Sequence, residues 1–557
     1  LVLTETGEWN QGALRRDFRP DKRRSCLNRA FETGVLMAVS KSYAVSLIGL
    51  NGTLIEIEAE ISSNLPSFVL VGLPDASLSE SRDRVRSAAH NSGVPLPGRR
   101  VTVNLSPAAV PKRGAIFDLA IALAIFAADS KVSTTSVREW IHLGELGLDG
   151  SVRPVPGVLP AVLAAKRQGF LKFMVPFENL AEARMVQGIE VLGARNLRQV
   201  VSFHSGKMPG SALASEPEVV GDLAEDVQSD CDISEIIGQD EAVEALTIAA
   251  AGAHHLLLIG PPGAGKTMLA ERLPSILPPQ TEDEAIETAA LRSLAKTTGV
   301  IGQRALSKIR PFEAPHHSAS LVSLIGGGAA YPRPGLVSLA NNGVLFLDEA
   351  PEFQRQFLEA LRQPLESGEV LVHRSAGVAR FPAQFQLVMA ANPCPCGNFF
   401  GQGRTCVCAA SARLAYLNKL SGPLLDRIDV RFRVQPASAV HSALANLGAT
   451  QVGRSSSEIR QRVQLARDRA VHRLRDTPWS VNAHVPGSYL RRHLRLDGEV
   501  AKPLNLALDR GKLSMRGYDR CLRLAWSSAD LNERAQVVAD DVAKAISLRG
   551  GDGVTSW

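Results

Sequence analysis

The chain has 557 residues, of which 45% are apolar and 21% charged, and a formal net charge of +6. This length exceeds what one core serves, so about three or four folded units are expected, and the ordinary composition excludes a fibrous or wholly disordered chain. The mild basic excess suits a nucleic-acid binder or a plain soluble protein and decides between neither, while no apolar run approaches the roughly eighteen residues of a membrane span.

In chain order, residues 1–36 carry neither an initiating Met nor a signal-peptide pattern; Met37 is read as the natural start and 1–36 as a non-native or disordered leader. Residues 37–204 alternate short strand-like and helical runs. Leu54–Ala59, Phe68–Val71 and Val101–Leu105 read as strands, and 75–91 and 115–128 as helices, which makes an α/β or α+β domain. A Gly-, Ser-, Pro- and acid-rich stretch at 205–232 reads as a linker. Beyond it, Leu256–Ile259, Val344–Leu347 and Gln386–Ala391 are short continuous apolar runs, the pattern of a parallel sheet buried on both faces. This places a parallel α/β domain at 233–453, followed by an arginine-rich helical lid at 454–549 and a tail at 550–557.

Between the first of those strands and a helix read from Thr267 to Ile276 lies Gly260-Pro261-Pro262-Gly263-Ala264-Gly265-Lys266-Thr267, which fills every fixed position of the phosphate-binding loop. Backbone N–H groups wrap the phosphates, Lys266 reaches the outer ones, and the Thr267 hydroxyl is a magnesium ligand. Asp348 and Glu349 end the next apolar strand; Asp348 is assigned to Mg2+ and Glu349 to the attacking water as general base. Asn392, at the end of the third strand, is a candidate for orienting that water or sensing the γ-phosphate, and Ile237 and Gly238 for lining the adenine. Arg427 and Arg516 are candidates for the positive charge that phosphoryl transfer needs.

Of seven cysteines, Cys394, Cys396, Cys406 and Cys408 fall in one loop, enough for one tetrahedral Zn2+ in a reducing cytoplasm. His316 and His317 are read as ATPase-insertion residues, since adjacent histidines rarely point the same way.

These residues together resemble the AAA+ superfamily, in the branch that holds magnesium-chelatase motor subunits and the ComM/YifB proteins. The most telling stretches are Gly72-Leu73-Pro74-Asp75 with Glu80–Arg86, Ala314–Ser320, Leu361–Glu366 and Asn392–Gly397. The resemblance implies an AAA+ P-loop domain with a parallel sheet plus helical lid, preceded by an α+β Lon-protease-like (ribosomal S5 domain 2-like) domain. It implies Asn392 as sensor 1, Arg516 as sensor 2 and Arg427 as an arginine finger acting on a neighbouring subunit, hence a hexameric homo-oligomer. It also implies an insertion at 311–336 and a β-hairpin over Glu369–Phe385, both facing a pore. Ala115 stands where a Lon-type serine would be sought, and Gly157–Val162 lacks the lysine, which argues against proteolysis.

The leading expectation is a cytoplasmic DNA helicase or translocase that promotes branch migration in homologous recombination or natural transformation. It would act on branched or single-stranded DNA alongside recombination proteins and away from membranes. Arginines from Arg454 to Arg495 could meet phosphates, but no aromatic base-stacking platform is visible. The alternative is a chelatase-type ATPase subunit that remodels a protein partner for metal insertion into a porphyrin.

Overall fold

The computed structural model describes residues 39–72, 76–112, 114–213, 231–295, 306–328, 332–374, 377–399, 405–435 and 453–550. The leader 1–36, most of the linker read at 205–232 and the end of the tail lie outside them.

Alternating apolar residues drive the first sheet. In Asn51–Ser62 the residues Ile55, Ile57, Ala59 and Ile61 turn inward, and this strand pairs antiparallel with Val39–Ile48 on one side and Arg100–Ser106 on the other. The seven-stranded order is Ser67–Val71, Arg100–Ser106, Asn51–Ser62, Val39–Ile48, Ile141–His142, Lys172–Pro176, Glu190–Ala194, with every other pairing parallel. Against it lies the helix Asp118–Ala128, apolar all round and buried at every residue, as such a helix must be. Its one acid, Asp118, accepts from Arg84 Nε at 2.6 Å, and the same guanidinium donates to Ser81 Oγ at 2.7 Å. Part of the stretch Glu80–Arg86 thus serves to neutralise a buried carboxylate.

The second sheet is parallel throughout, in the order Phe312–Glu313, Val344–Leu347, Gln386–Ala391, Leu256–Ile259, Val430–Arg433. Its three central strands are wholly buried. Leu256, Leu258, Val344, Phe346, Val388 and Ala390 face one core, while Leu257, Ile259, Leu345, Leu347, Leu387 and Met389 face another. Helices Ser456–Arg473, Met515–Leu531 and Ala539–Arg549 contribute to the first of these cores, so the C-terminal helices share it with the sheet. The 311–336 stretch, read as insertion, opens with an edge strand of this sheet, Phe312–Glu313; the helix Leu321–Ile325 and the two-residue strands Gly326–Gly327 and Arg333–Pro334 follow. Glu369–Arg374 and Gly377–Pro382 form the expected hairpin.

Among the described residues, the two sheets' units meet along the helix Glu282–Ala295 and at the hairpin. The Gly157 N–H donates to Ser293 Oγ in the helix Glu282–Ala295, at 3.1 Å. The turn at Gly49 (φ 63) presses on the hairpin, where a Cβ would come within 2.7 Å of the Arg380 carbonyl oxygen; only glycine fits there. No described helix is long and apolar enough to cross a membrane.

Candidate functional site

Parallel strands gather their C-terminal ends on one edge of the sheet, where loops can converge on a ligand. There the strand Leu256–Ile259 turns through the glycine-rich loop into the helix Lys266–Ile276. Lys266 Nζ donates to the Gly260 and Pro261 carbonyls at 2.8 and 3.0 Å and to Asn392 Oδ1 at 3.1 Å. Burial lowers its pKa, and the charges of Asp348 and Glu349 partly offset that. Thr267 Oγ1 donates to Asp348 Oδ2 at 2.7 Å, while the Glu349 N–H donates to Asp348 Oδ1 at 2.9 Å.

Glu349 has φ 48 and ψ 44, a left-handed conformation that is strained for a residue with a side chain and costs on the order of 1–3 kcal/mol. It lines a cavity of about 420 Å³ together with Lys266, Thr267, Asp348, Asn392 and the loop from Pro262 to Gly265. Strain of this kind concentrates where a side chain must be aimed. Thr267 and Asp348, already in hydrogen-bond contact, form a hydroxyl and carboxylate pair suited to a hydrated divalent cation. Ile237 and Gly238 stand outside that cavity lining. They adjoin the loop through Gln239, whose Nε2 donates to the Ala264 carbonyl at 2.8 Å.

The two candidate arginines are elsewhere. Arg427 lines a different cavity, of about 670 Å³, with His255 and Gln386, which lie at the N-terminal ends of their strands. A four-residue strand, roughly 13 Å long, separates the two ends of the sheet. Arg427 is paired with Glu366 and donates from Nη1 to the Pro423 carbonyl at 2.6 Å. Arg516 lies 3.8 Å from Asp426. Burial, then the positive charges of Arg362, Arg516 and Arg520, lower the Arg427 pKa, so these arginines share one patch. The chain therefore brings together Lys266, Thr267, Asp348, Glu349 and Asn392, and holds Arg427 and Arg516 apart from them.

Sequence reasoning missed the support beneath Arg427. Asp429, fully buried, pairs with Arg520, accepts from His254 Nδ1 at 3.3 Å and from the His255 N–H at 3.4 Å. Arg520 and the histidines hold its carboxyl well below the usual range despite burial. The sole local signal was that Asp429 sits in the same Leu424–Asp429 segment as Arg427.

The four cysteines of the 394–408 loop converge: all four sulfurs lie within 4.8 Å of one another, with Cys394 to Cys396 at 3.4 Å and Cys406 3.7 Å from each. A tetrahedral ion with sulfur ligands at 2.3 Å sets its ligands about 3.8 Å apart, so this set can hold a metal. His316 and His317 take no part in it. Contrary to the expectation that they diverge, their rings lie 4.0 Å apart, and His316 Nδ1 lies 2.7 Å from Ser318 Oγ.

Comparison with known proteins matches residues 57–179 to subunit ChlI of Mg-chelatase, 232–442 to magnesium chelatase subunit ChlI, and 453–549 to the ChlI C-terminal family. An uncharacterised protein of Mycobacterium tuberculosis is 48% identical over 92% of this chain and 99% of its own length. The competence protein ComM of Haemophilus influenzae is 41% identical over 92% of this chain and 98% of its own. The uncharacterised YifB of Escherichia coli is 40% identical, over 93% and 98%.

Proposed function

We propose that this chain, which belongs to the ComM/YifB family of magnesium-chelatase-like AAA+ ATPases, is an ATP-hydrolysing motor that assembles as a hexameric ring and translocates on DNA. The observation that carries the reading is the split of the catalytic set. Lys266, Thr267, Asp348, Glu349 and Asn392 share one cavity, whereas Arg427 stands at the opposite end of the sheet, which supports a role at another subunit's nucleotide.

In this reading Lys266 exchanges its loop carbonyls for phosphate oxygens, and Glu349 takes the proton of the attacking water. Asn392 positions that water as sensor 1, Arg516 is assigned as sensor 2 from the lid, and Arg427 of a neighbour stabilises charge on the transferred γ-phosphoryl group. Thr267 and Asp348 would hold Mg2+, which supplies charge neutralisation at the phosphates. Ile237 and Gly238 are assigned to the adenine, and Cys394, Cys396, Cys406 and Cys408 to one Zn2+. The first unit is read as the Lon-like domain, without proteolysis, since Ala115 cannot act as a nucleophile. The units run over 37–204, 233–453 and 454–549, and the protein is placed in the cytoplasm.

Similarity to a competence protein along nearly its whole length supports a role in recombination or transformation, for which branch migration of recombining DNA is the activity proposed here. The chelatase matches favour a second reading, a remodeller that serves metal insertion into a porphyrin. The purified chain is expected to hydrolyse ATP several-fold faster with branched or single-stranded DNA. Glu349→Gln should cut turnover by about 10²-fold or more while retaining ATP. If no DNA form changes the rate or binds at low salt, the DNA motor is wrong and the remodeller is left.

A further inference from the structure

The cysteine loop leaves the central strand Gln386–Ala391 directly through Asn392, whose Oδ1 accepts from Lys266 Nζ. Two residues on, Cys394 is fully buried, and its carbonyl accepts from the Gly397 N–H at 2.9 Å. At that turn Gly397 (φ 78) lies against the phosphate loop: a Cβ there would come within 2.6 Å of both Cγ and Cδ of Pro262. The knuckle therefore meets the nucleotide site twice, by packing on Pro262 and by placing Asn392 on Lys266.

What holds the knuckle itself is thin. Cys396, Cys406 and Cys408 are only half-buried, and Val407 between the last two is 90% exposed. Beyond the sulfurs and the turn at Gly397, the described contacts include Thr405 Oγ1 to the Asn398 carbonyl at 3.2 Å, Arg413 over the Phe399 ring at 4.0 Å, and Arg413 to the Cys408 carbonyl at 3.4 Å. Among its described residues the segment builds no apolar core to set its shape, and small units of this kind take their shape from a metal.

We propose that one zinc, bound by Cys394, Cys396, Cys406 and Cys408, is a structural brace for the nucleotide site, so that ATP affinity depends on zinc occupancy. This rests on the zinc reading above and adds a function to it. Zinc closes 405–408 onto 394–397, and the closed turn fixes Pro262 from outside the phosphate loop and Asn392 from the strand end. Without the ion, both contacts lose their backing.

The test takes the full chain purified without added metal, measures its zinc, and titrates a fluorescent ADP analogue with Mg2+ present before and after zinc chelation and after Zn2+ is returned. About one zinc per chain is expected, with the Kd rising tenfold or more on chelation and recovering with Zn2+ at unchanged far-UV circular dichroism. Gly397→Ala probes the contact apart from the ion: its zinc content should stay at the wild-type level while its Kd rises. Zinc present, with Kd unmoved by both chelation and Gly397→Ala, overturns the brace and leaves the metal site standing. A chain that neither contains nor takes up zinc overturns both. If the chelated chain unfolds, Gly397→Ala alone decides.

Discussion

His204 shows how much a single side chain can make the fold depend on pH. It lies 3.0 Å from His142 Nε2 and 2.8 Å from Ser136 Oγ, and burial pushes its pKa down from 6.5 to about 4. The unfolded chain takes the proton first as pH falls. The stability tied to the neutral ring is therefore complete above pH 6.5 and lost progressively down to about 4, at roughly 1.4 kcal/mol per pH unit. His142 is shifted in the same direction by burial and by His204. Phe at 204 keeps the edge contacts with Trp140 and Phe203 and removes one of the two titrations. Thermal melts at pH 7 and pH 5 should show a smaller drop for His204→Phe than for the wild type, and an equal drop would refute the assignment.

Among elements, the edge strand Val430–Arg433 and the helix Met515–Leu531 are joined by polar side chains. Asp429 takes Arg520 and His254, His254 Nε2 meets Ser527 Oγ at 2.8 Å, and Asn482 reaches both Ser527 and Asp530. Removing the carboxylate strands Arg520 in the interior, so Asp429→Ala should cost about 3–5 kcal/mol, read as a lower urea midpoint. A loss under about 1 kcal/mol would mean that water reaches the site. Such pairings have no local signature, since Asp429 and His254 are 175 residues apart. The central strands were legible because both faces are buried and the residues run apolar without a break. The edge strands were not: Val430–Arg433 alternates with arginine, and Phe312–Glu313 is only two residues long. The phosphate loop, Asp348 and Glu349 were legible for a different reason, because their chemistry is carried by contiguous residues. Glu366 as the partner of Arg427 emerges only once the chain is folded.

At the scale of the molecule, Arg427 lies away from the cavity of its own chain, and under the proposed function it completes the site of a neighbour. Arg427→Ala and Glu349→Gln, each nearly inactive alone, should complement when mixed and allowed to reassemble. The Glu349→Gln subunit supplies the arginine and the Arg427→Ala subunit the base. In random assemblies at equal amounts, roughly a quarter of the sites would be complete, and ATPase activity should rise accordingly. Activity no greater than the sum of the separate variants would return Arg427 to its own chain.

Gly49 seats the first unit on the Arg380 carbonyl, while Ile48 and Leu50 on either side of it pack against the ATPase core. The hairpin is therefore not a free finger. Under the proposed motor function, any tilt of it during a nucleotide cycle has to carry the first unit along or shear that seam, which would make the first unit a load on the stroke. A bulky residue at position 49 would change how the motor is geared while leaving its fuel site untouched.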